Sequence, residues 1–512
     1  MKRGLRLSGL LIGTCAALPA LAQDSGNASN KDEAKQAISL GLAPGTPQVG
    51  ALPGGLTPAY GQKAADEGDW RFDFHGFLTM PLRAGFNTRA GSVTTEQHTG
   101  VLHAPPVVPD YRDSFTYTTI VPQPYVQLNF SYGNSVVTGN VVLLARTAST
   151  AASFYNPPDQ SGISDAFLNY RLPTLAKNVH FEANIGAFTN RYGVMGEYDE
   201  GKYGTPVIAR VNGVGENIIA KFGLGNAVVE LEQGIQGQFD KFPYDTAPAG
   251  WNNFGDPNAG SGFVNHLHAG VGYLSTAALG LHYLSAWTQD DRASQGTRPD
   301  GRLGVLGADV RLTTGNIGHL YVAASRAKAD HVRSVGRILE VLNTASGQGL
   351  IDNYLGPSSG GTGTLMTFAA QYDLSVTSVL RYPAVFAGDS SDVVLSLFGM
   401  QTHVTSNDPA YDGVTKRKFG GEAAYSILPW LAASARFDRV IPNADNGTQS
   451  FSIISPRVIF RTKWQAHDQV VLQYSHWING SGVVVRSGYP AVPDPTLHPD
   501  RDVLSISASM WW

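Results

Sequence analysis

Histidine and serine side chains are natural candidates for chemistry in this sequence, because they bind metal ions and act as bases or nucleophiles. His266 and His268 are two residues apart, so an extended strand places both on one face, where they offer two nitrogens to a metal ion. We find no third ligand at a useful spacing, and a solvated wall is the favoured interpretation. The tripeptide Gly388-Asp389-Ser390 matches one short hydrolase block, but three turn-forming residues coincide easily by chance. The sequence therefore predicts no enzyme, no metal site and no cofactor.

Charged residues form two groups on segments of alternating hydrophobicity. The basic group lies on three successive segments and consists of Lys416, Lys418, Arg436, Arg457, Arg461 and Lys463. The acidic group lies nearer the N-terminus and consists of Glu182, Glu230 and Glu232. On facing walls these groups would set a transverse field across a wet interior and favour one ion sign. The alternative is local pairing, Arg436 with Asp438 or Lys418 with Glu422, which would only solvate the interior.

The elements that position these charges are segments whose hydrophobicity alternates with a period of two residues, from Trp70 to the last residue. At the C-terminus, for example, Leu504, Ile506, Ala508, Met510 and Trp512 share one face and three serines share the other. Eighteen such segments occur, each of about ten residues, the length that a tilted strand needs to cross a bilayer. They are 71–82, 123–132, 136–147, 163–172, 179–188, 216–223, 227–238, 264–275, 279–288, 302–313, 317–328, 364–374, 392–404, 415–427, 430–440, 451–463, 468–478 and 502–512.

The connectors between these segments alternate between tight turns and long loops, which is typical of a transmembrane antiparallel β-barrel with short periplasmic turns and long outer loops. The predicted fold is all-β with about 18 strands, and 16 to 20 strands remain open because residues 375–391 are too long for a tight turn. Lipid-facing Arg or Lys costs roughly 2–4 kcal/mol at the membrane midplane, so most strand charges should face the interior. A soluble sandwich or propeller is the disfavoured alternative, since it needs neither the low charge nor so much glycine.

Composition agrees with this assignment. The chain has 512 residues, 37 Lys and Arg, 41 Asp and Glu, and 15% charged residues, whereas soluble proteins average about 25%. The acidic balance and the lack of a long basic run argue against nucleic-acid binding. Beyond the N-terminus no run approaches about 18 apolar residues, which argues against spanning helices.

The N-terminus has the layout of a secretory signal. Basic residues, an apolar stretch and a small-x-small cleavage site follow one another at 2–6, 7–18 and 20–22. We therefore predict a signal peptide over 1–22, removed before Gln23, and the only cysteine, Cys15, is lost with it. Residues 23–69 are rich in Gly, Pro, Ala and Asn and predict a flexible segment. The barrel is predicted over 70–512.

With the signal sequence, the loop alternation and a terminal strand that ends in an aromatic residue, the chain resembles Gram-negative outer-membrane porins. The resemblance implies location in the cell outer membrane, contact with its lipid, and recognition by the barrel-assembly machinery, with Trp512 in place of the family's usual Phe. It also implies that the third outer loop, here 189–215, folds inward and constricts the pore. The charged residues of that loop are Arg191, Glu197, Asp199, Glu200, Lys202 and Arg210, and we expect them to line the pore with Glu182, Glu230, Glu232, Arg436, Arg457 and Arg461. No subfamily signature is found, and a homotrimer and a monomer both remain open.

The predicted function is a channel for passive diffusion of small hydrophilic solutes, with at most mild selectivity. One alternative is a plugged or narrow barrel that acts as a receptor, adhesin or structural protein, in which segment 329–363, with a short helix near 332–342, carries the binding surface. A hydrophobic-substrate transporter is disfavoured because the inward faces are polar. A membrane-embedded hydrolase, with His282 and a neighbouring serine on the outer face of the barrel, is the least favoured alternative.

Overall fold

The structure is a computed structural model, and its described residues contain nearly all of the alternating segments. They are 70–86, 103–104, 118–119, 125–146, 160–176, 178–191, 210–238, 261–274, 276–289, 301–313, 317–331, 355, 361–381, 393–428, 430–441, 443–447, 450–462, 468–479 and 501–511. The predicted signal peptide, the segment 23–69 and Trp512 lie outside the described residues. The predicted boundaries at 22 and 69 therefore stay predictions.

Twenty strands are described, and eighteen of them form one sheet. The strands are β1 (Arg71–Phe86), β2 (His103–Ala104), β3 (Thr118–Thr119), β4 (Tyr125–Gly133), β5 (Val137–Arg146), β6 (Gln160–Ala176), β7 (Val179–Arg191), β8 (Arg210–Leu224), β9 (Ala227–Gln238), β10 (Ser261–Tyr273), β11 (Ala277–Gln289), β12 (Arg302–Thr313), β13 (Gly318–Asp330), β14 (Gly363–Ser375), β15 (Val393–Ser406), β16 (Thr415–Leu428), β17 (Leu431–Ile441), β18 (Phe451–Phe460), β19 (Asp468–Asn479) and β20 (Arg501–Trp511). The short strands β2 and β3 pair only with each other.

The eighteen long strands close into a ring in which every neighbouring pair is antiparallel. Strand β1 pairs with β4 on one side and with β20 on the other, where Phe77 stands opposite Trp511 and Phe86 opposite Asp502. A closed ring leaves no sheet edge, so the backbone N–H and C=O groups of the strands find partners without water. The predicted barrel of about eighteen strands is confirmed.

The two faces of the ring differ in chemistry. In β14 the outward residues Met366 and Phe368 are exposed, whereas the inward residues Thr367 and Gln371 are buried. In β17 the inward residues include Ser434, Arg436 and Asp438. Exposed leucines, isoleucines and aromatic residues cover the outer face of most other strands. An apolar outer band around a polar interior is the architecture of an outer-membrane β-barrel, as the porin resemblance implies.

Some charged strand residues face outward, as the prediction that most strand charges face the interior allows. Arg326 and Lys328 are exposed on the outward face of β13, near the end that leads into the long connector before β14. Arg417 is also exposed there on β16, and its Nε donates to Gln401 Oε1 at 3.0 Å. Depth explains these residues, because the cost of a lipid-facing charge falls to about 0–1 kcal/mol near the interface. Glu216 on β8 faces outward as well, at half burial, between the outward residues Ile185 and Ile235.

The structure differs from the prediction at two connectors, the loop 189–215 and the connector after β14. The ends of the predicted loop 189–215 are strand, because β7 continues to Arg191 and β8 begins at Arg210, and these two residues are cross-strand partners. Residues 192–209 lie outside the described part of the chain. The long connector after β14 begins with a helix, α1 (Val376–Arg381), which explains why no tight turn occurs there. Among the described residues, no helix is long and apolar enough to cross a membrane.

Aromatic side chains lie on the outer face at the ends of β1 and β4 that meet the tight turns. Trp70 and Tyr132 stack with ring centroids 5.2 Å apart, and Phe74 packs against Phe130 at 5.0 Å. Trp430, in the tight turn before β17, is likewise exposed. Rings with an apolar body and a polar edge are stable at the boundary between lipid and water.

Closure of the ring predicts a role for the last residue. Deletion of Trp512 should lower the amount of folded protein in the membrane, because the final strand must pair with β1 to remove the last open edge. Trp512→Phe should keep the wild-type amount. Heat-modifiable mobility on gels of isolated membranes measures the folded fraction, and equal folded fractions for deletion and wild type would contradict this prediction.

Candidate functional site

The inner wall of the barrel carries two charged sectors. The basic sector lies on β16, β17 and β18 and the acidic sector on β7, β8 and β9. Their central strands, β17 and β8, are nine positions apart in the ring of eighteen. The predicted placement of the two charge groups on opposite walls therefore follows from the closed strand order.

Arg436 is the centre of the basic sector and is fully buried. Its Nη2 lies 2.6 Å from Asp438 Oδ1, and its Nε donates to the same carboxylate at 3.0 Å. Its Cζ lies 4.3 Å above the ring centroid of Phe398 on β15. Period-two alternation brings residues 436 and 438 to one face, so the local pair that the sequence left open is formed. The ring of Phe398 adds a cation–π contact below the guanidinium.

Arg457 is joined to this centre through Glu422. Its Nη1 lies 2.9 Å from Glu422 Oε1, while Glu422 Oε2 lies 3.8 Å from Arg436 Nη1. Arg457 Nε also donates to Gln473 Oε1 at 2.9 Å, and Gln473 Nε2 donates to Ser475 Oγ at 2.7 Å. One carboxylate thus bridges two arginines, and this network of ion pairs and hydrogen bonds runs from β16 to β19.

These pairs reduce the charge of the basic sector. The described inward residues of β16 to β18, together with Arg461 directly after β18, include five cations, Lys416, Lys418, Arg436, Arg457 and Arg461. They also include two carboxylates, Glu422 and Asp438, so five minus two leaves a formal charge of +3. The sector is still basic, but Arg436 and Arg457 are held by carboxylates. Lys463, the sixth predicted member, lies outside the described residues.

The acidic sector contains a lysine that the sequence analysis does not assign to it. Lys221 Nζ on β8 lies 3.6 Å from Glu182 Oε1 on β7 and 3.6 Å from Glu230 Oε2 on β9. Lys221 stands directly opposite Glu230 in the strand register. The inward position of Lys221 could be predicted from the alternation of β8, because every second residue of that strand faces the interior.

The histidine pair belongs to a larger cluster on β9 to β12. Strand register places Glu232 opposite His268, and His268 opposite His282. His282 Nε2 lies 3.1 Å from Asp309 Oδ2 on β12. The prediction that no third metal ligand accompanies the histidines is wrong, because the folded barrel brings Glu230 and Glu232 next to His268. These two carboxylates lie on the neighbouring strand β9. A search for ligands at short spacing along β10 therefore does not find them.

Leu355, from the connector between β13 and β14, lies inside the barrel. Its side chain is fully buried in an apolar cluster of the inner wall, and Ser406 Oγ donates a hydrogen bond to its carbonyl oxygen. The other described members are Val264, Leu284, Ala286, Leu303, Val305, Ala327, Ala329, Leu365 and Val404, all near the outer ends of β10 to β15. Leu355 therefore packs against the inner wall, at an apolar patch within an otherwise polar surface.

The remaining predicted site residues are those of the loop 189–215 and of the possible hydrolase sites. Glu197, Asp199, Glu200 and Lys202 lie outside the described residues, as does Gly388-Asp389-Ser390. His282 is 1% exposed and faces the interior, so it is not part of a hydrolase site on the outer surface. A G-x-S-x-G spacing occurs at 356–360. That motif acts at a strand–turn–helix in a parallel sheet, and residues 356–360 lie outside the described residues.

Comparisons with known proteins find similar solved structures only. OccAB1 of Acinetobacter baumannii has a TM-score of 0.43 and 9% identity, over 88% of this chain and 97% of that one. The outer-membrane channel DcaP of the same organism has a TM-score of 0.37 and 10% identity, over 88% and 99%. OmpT, an outer-membrane protein of Vibrio cholerae in its trimer form, has a TM-score of 0.37 and 10% identity, over 86% and 99%.

No protein-family model and no curated protein matches the chain. With TM-scores below 0.5 and identities of 10% or less, the structural likenesses carry no argument about what this chain binds or how it assembles.

The bridging role of Glu422 predicts a stability change. Glu422→Gln should lower the free energy of unfolding by about 3–5 kcal/mol, because it leaves Arg457 buried without its carboxylate. Replacing both residues by Met should cost much less, since no buried charge is then unmatched. Urea titration of protein folded in lipid vesicles measures both effects. A Glu422→Gln variant as stable as wild type would contradict the bridge.

Packing of Leu355 predicts a second stability change. Leu355→Ala should lower the free energy of unfolding by about 2–5 kcal/mol, because it opens a cavity in the apolar cluster. Leu380 on α1 is 75% exposed and serves as the matched control, so Leu380→Ala should stay close to wild type. Equal losses for the two variants in the same urea titration would show that Leu355 makes no special contribution.

Proposed function

We propose that this protein is an outer-membrane channel that admits small hydrophilic solutes by passive diffusion with mild charge selectivity, and that it catalyses no reaction. The observation that carries the proposal is the closed ring of eighteen strands with charged sectors of opposite sign on facing inner walls. Such walls orient dipolar solutes and weight the passage of ions by sign. The predicted partners are outer-membrane lipid, the barrel-assembly machinery and the solutes, and a homotrimer is one assembly to be tested.

Single-channel recording of the purified protein in planar bilayers tests this function. Discrete current steps, together with uptake of small sugars or amino acids by vesicles that contain the protein, support a channel. A folded protein without conductance and without solute uptake would overturn it.

A second candidate function is a narrow or plugged barrel that acts as a receptor or adhesin. The buried position of Leu355 favours it, because this residue of the connector between β13 and β14 lies inside the barrel. The two functions differ in conductance, since a plugged barrel passes no steady current.

The basic sector predicts a change in ion selectivity. Lys418→Gln combined with Arg461→Gln should shift the reversal potential in a salt gradient toward cation preference, by a severalfold change in permeability ratio, because two inward cations are lost. Arg417→Gln is the matched control on the outward face of β16 and should leave the reversal potential unchanged. The same shift in both variants would mean that the inner wall does not set selectivity.

We also propose that the acidic residues of segment 189–215 line the constriction. The support is its position as the third long connector and its charge density in a charge-poor chain. Neutralising Glu197, Asp199 and Glu200 together should move ion preference toward anions and alter conductance. Lys416→Gln, near the outer rim, should do much less. Wild-type conductance and reversal potential in the triple variant would exclude this loop from the pore.

A further inference from the structure

The histidine cluster on the inner wall has an ordered cross-strand arrangement. One row of side chains runs across β9, β10 and β11 through Glu232, His268 and His282. The next row toward the periplasmic end begins with Glu230 on β9, continues through two glycines, and ends with Asp309 on β12. Two imidazoles therefore lie in one row, with carboxylates beside and below them.

Three of these side chains present possible ligand atoms to one point. His268 Nδ1 lies 3.6 Å from Glu230 Oε1 and 3.7 Å from Glu232 Oε2, and all three ligand atoms lie within 4.8 Å of one another. Bonds of about 2.0–2.2 Å from Zn²⁺ to nitrogen and oxygen imply ligand separations of about 3.4 Å at a tetrahedral centre. The observed separations from the imidazole are close to that value.

Glycines leave the space that the imidazoles occupy. A Cβ at Gly270 would lie 3.1 Å from His268 Cε1, and a Cβ at Gly280 would lie 2.8 Å from His282 Nε2. A Cβ at Gly234 would lie 1.9 Å from His266 Nε2. Any larger residue at 234 or 280 would displace a ring. The neighbouring strands are thus shaped around the imidazoles, which an incidental grouping of polar residues does not require.

A second layer of contacts orients His268. Its ring stacks on that of His282 with centroids 4.6 Å apart and an interplanar angle of 1°. His282 is in turn held by Asp309, with Nε2 and Oδ2 3.1 Å apart. Metal sites depend on such outer contacts, because they fix the orientation of the ligating ring before the ion arrives.

Charge and access also suit a cation. Two carboxylates and a neutral imidazole carry a formal charge of −2, which matches a divalent ion. The side chain of Glu230 is 33% exposed, so an ion can enter from the barrel interior. Lys221 contacts the other oxygen of this carboxylate, Oε2, and leaves Oε1 directed at His268. Its positive charge should weaken binding of a metal ion without blocking the ligand atom.

We propose that Glu230, Glu232 and His268 bind a divalent transition-metal ion such as Zn²⁺ on the inner wall of the barrel. An imidazole with two carboxylates favours Zn²⁺, Ni²⁺ or Cu²⁺ over Mg²⁺ and Ca²⁺, which take oxygen ligands. The fourth position is open to water or to a passing ligand. This site goes beyond the proposed channel function and does not depend on it, because an ion held by the wall needs no current through the pore.

The test uses the full-length protein, purified with a tag that contains no histidine, folded in detergent and treated with a chelator. Isothermal titration with ZnCl₂ should give one ion per chain, and Co²⁺ should give the intense visible absorption of a four-coordinate site. His268→Ala and the double variant Glu230→Gln with Glu232→Gln should each weaken binding at least tenfold. His403→Ala, on the outward face of β15, is the matched control and should bind as wild type does.

Lys221→Met gives a readout of opposite sign. It keeps all three ligands and removes the nearby positive charge, so it should tighten Zn²⁺ binding severalfold at low ionic strength. Heat-modifiable gel mobility establishes that each variant is folded before titration. Absence of one-to-one binding in wild type, or equal affinity in wild type and folded His268→Ala, overturns the proposal. Unchanged or weaker binding in folded Lys221→Met overturns the assignment of Glu230 as a ligand.

Discussion

The backbone must satisfy its own hydrogen bonds where water is absent, and the rest of this structure depends on that constraint. An open sheet in a bilayer would leave two rows of N–H and C=O groups without partners, each at a cost of several kcal/mol. Strand β1 removes both edges at once, since it pairs with β4 and with β20. Closure in turn forces alternate residues of each long strand to face lipid and interior.

That division separates two kinds of chemistry along a single strand. In β16, Phe419 and Tyr425 face outward, while Lys418 and Glu422 face inward. Buried charges need partners, and in a sheet the near partners are on the neighbouring strands. The inner wall is accordingly built from cross-strand contacts. Glu422 joins Arg436 and Arg457, and Lys221 joins Glu182 and Glu230. Each sector keeps its overall sign although several of its members are paired.

Much of the fold could be predicted from sequence because every second residue of a barrel strand contacts lipid and is therefore apolar. All eighteen long strands overlap the predicted segments, and β9 and β12 have the predicted bounds. Strand count and order also place β8 and β17 on opposite walls. The helix α1 and the inward position of Leu355 were not predictable in this way, because connectors carry no such period. The inward position of Leu355 becomes evident only in the folded barrel, where Leu365 and Val404 form one apolar patch with it.

The site was harder to predict than the fold, because its contacts depend on register. The sequence places His266 and His268 on one face, but it does not show that Glu232 stands opposite His268 or that Asp309 reaches His282. A shift of one residue between β9 and β10 would turn the glutamates toward lipid. Charge signs could therefore be assigned to walls from sequence, whereas ion pairs and ligand sets required the paired strands.

The central claim is that successive residues of one strand face water inside the barrel and lipid outside it. Cysteine substitution at Glu230 and at Leu231, neighbours in β9, tests it most directly, because the only native cysteine, Cys15, lies in the predicted signal peptide. A charged, water-soluble thiol reagent applied to protein in lipid vesicles should modify Glu230→Cys rapidly and Leu231→Cys at least tenfold more slowly. Equal rates at the two positions, or faster reaction at 231, would contradict the account.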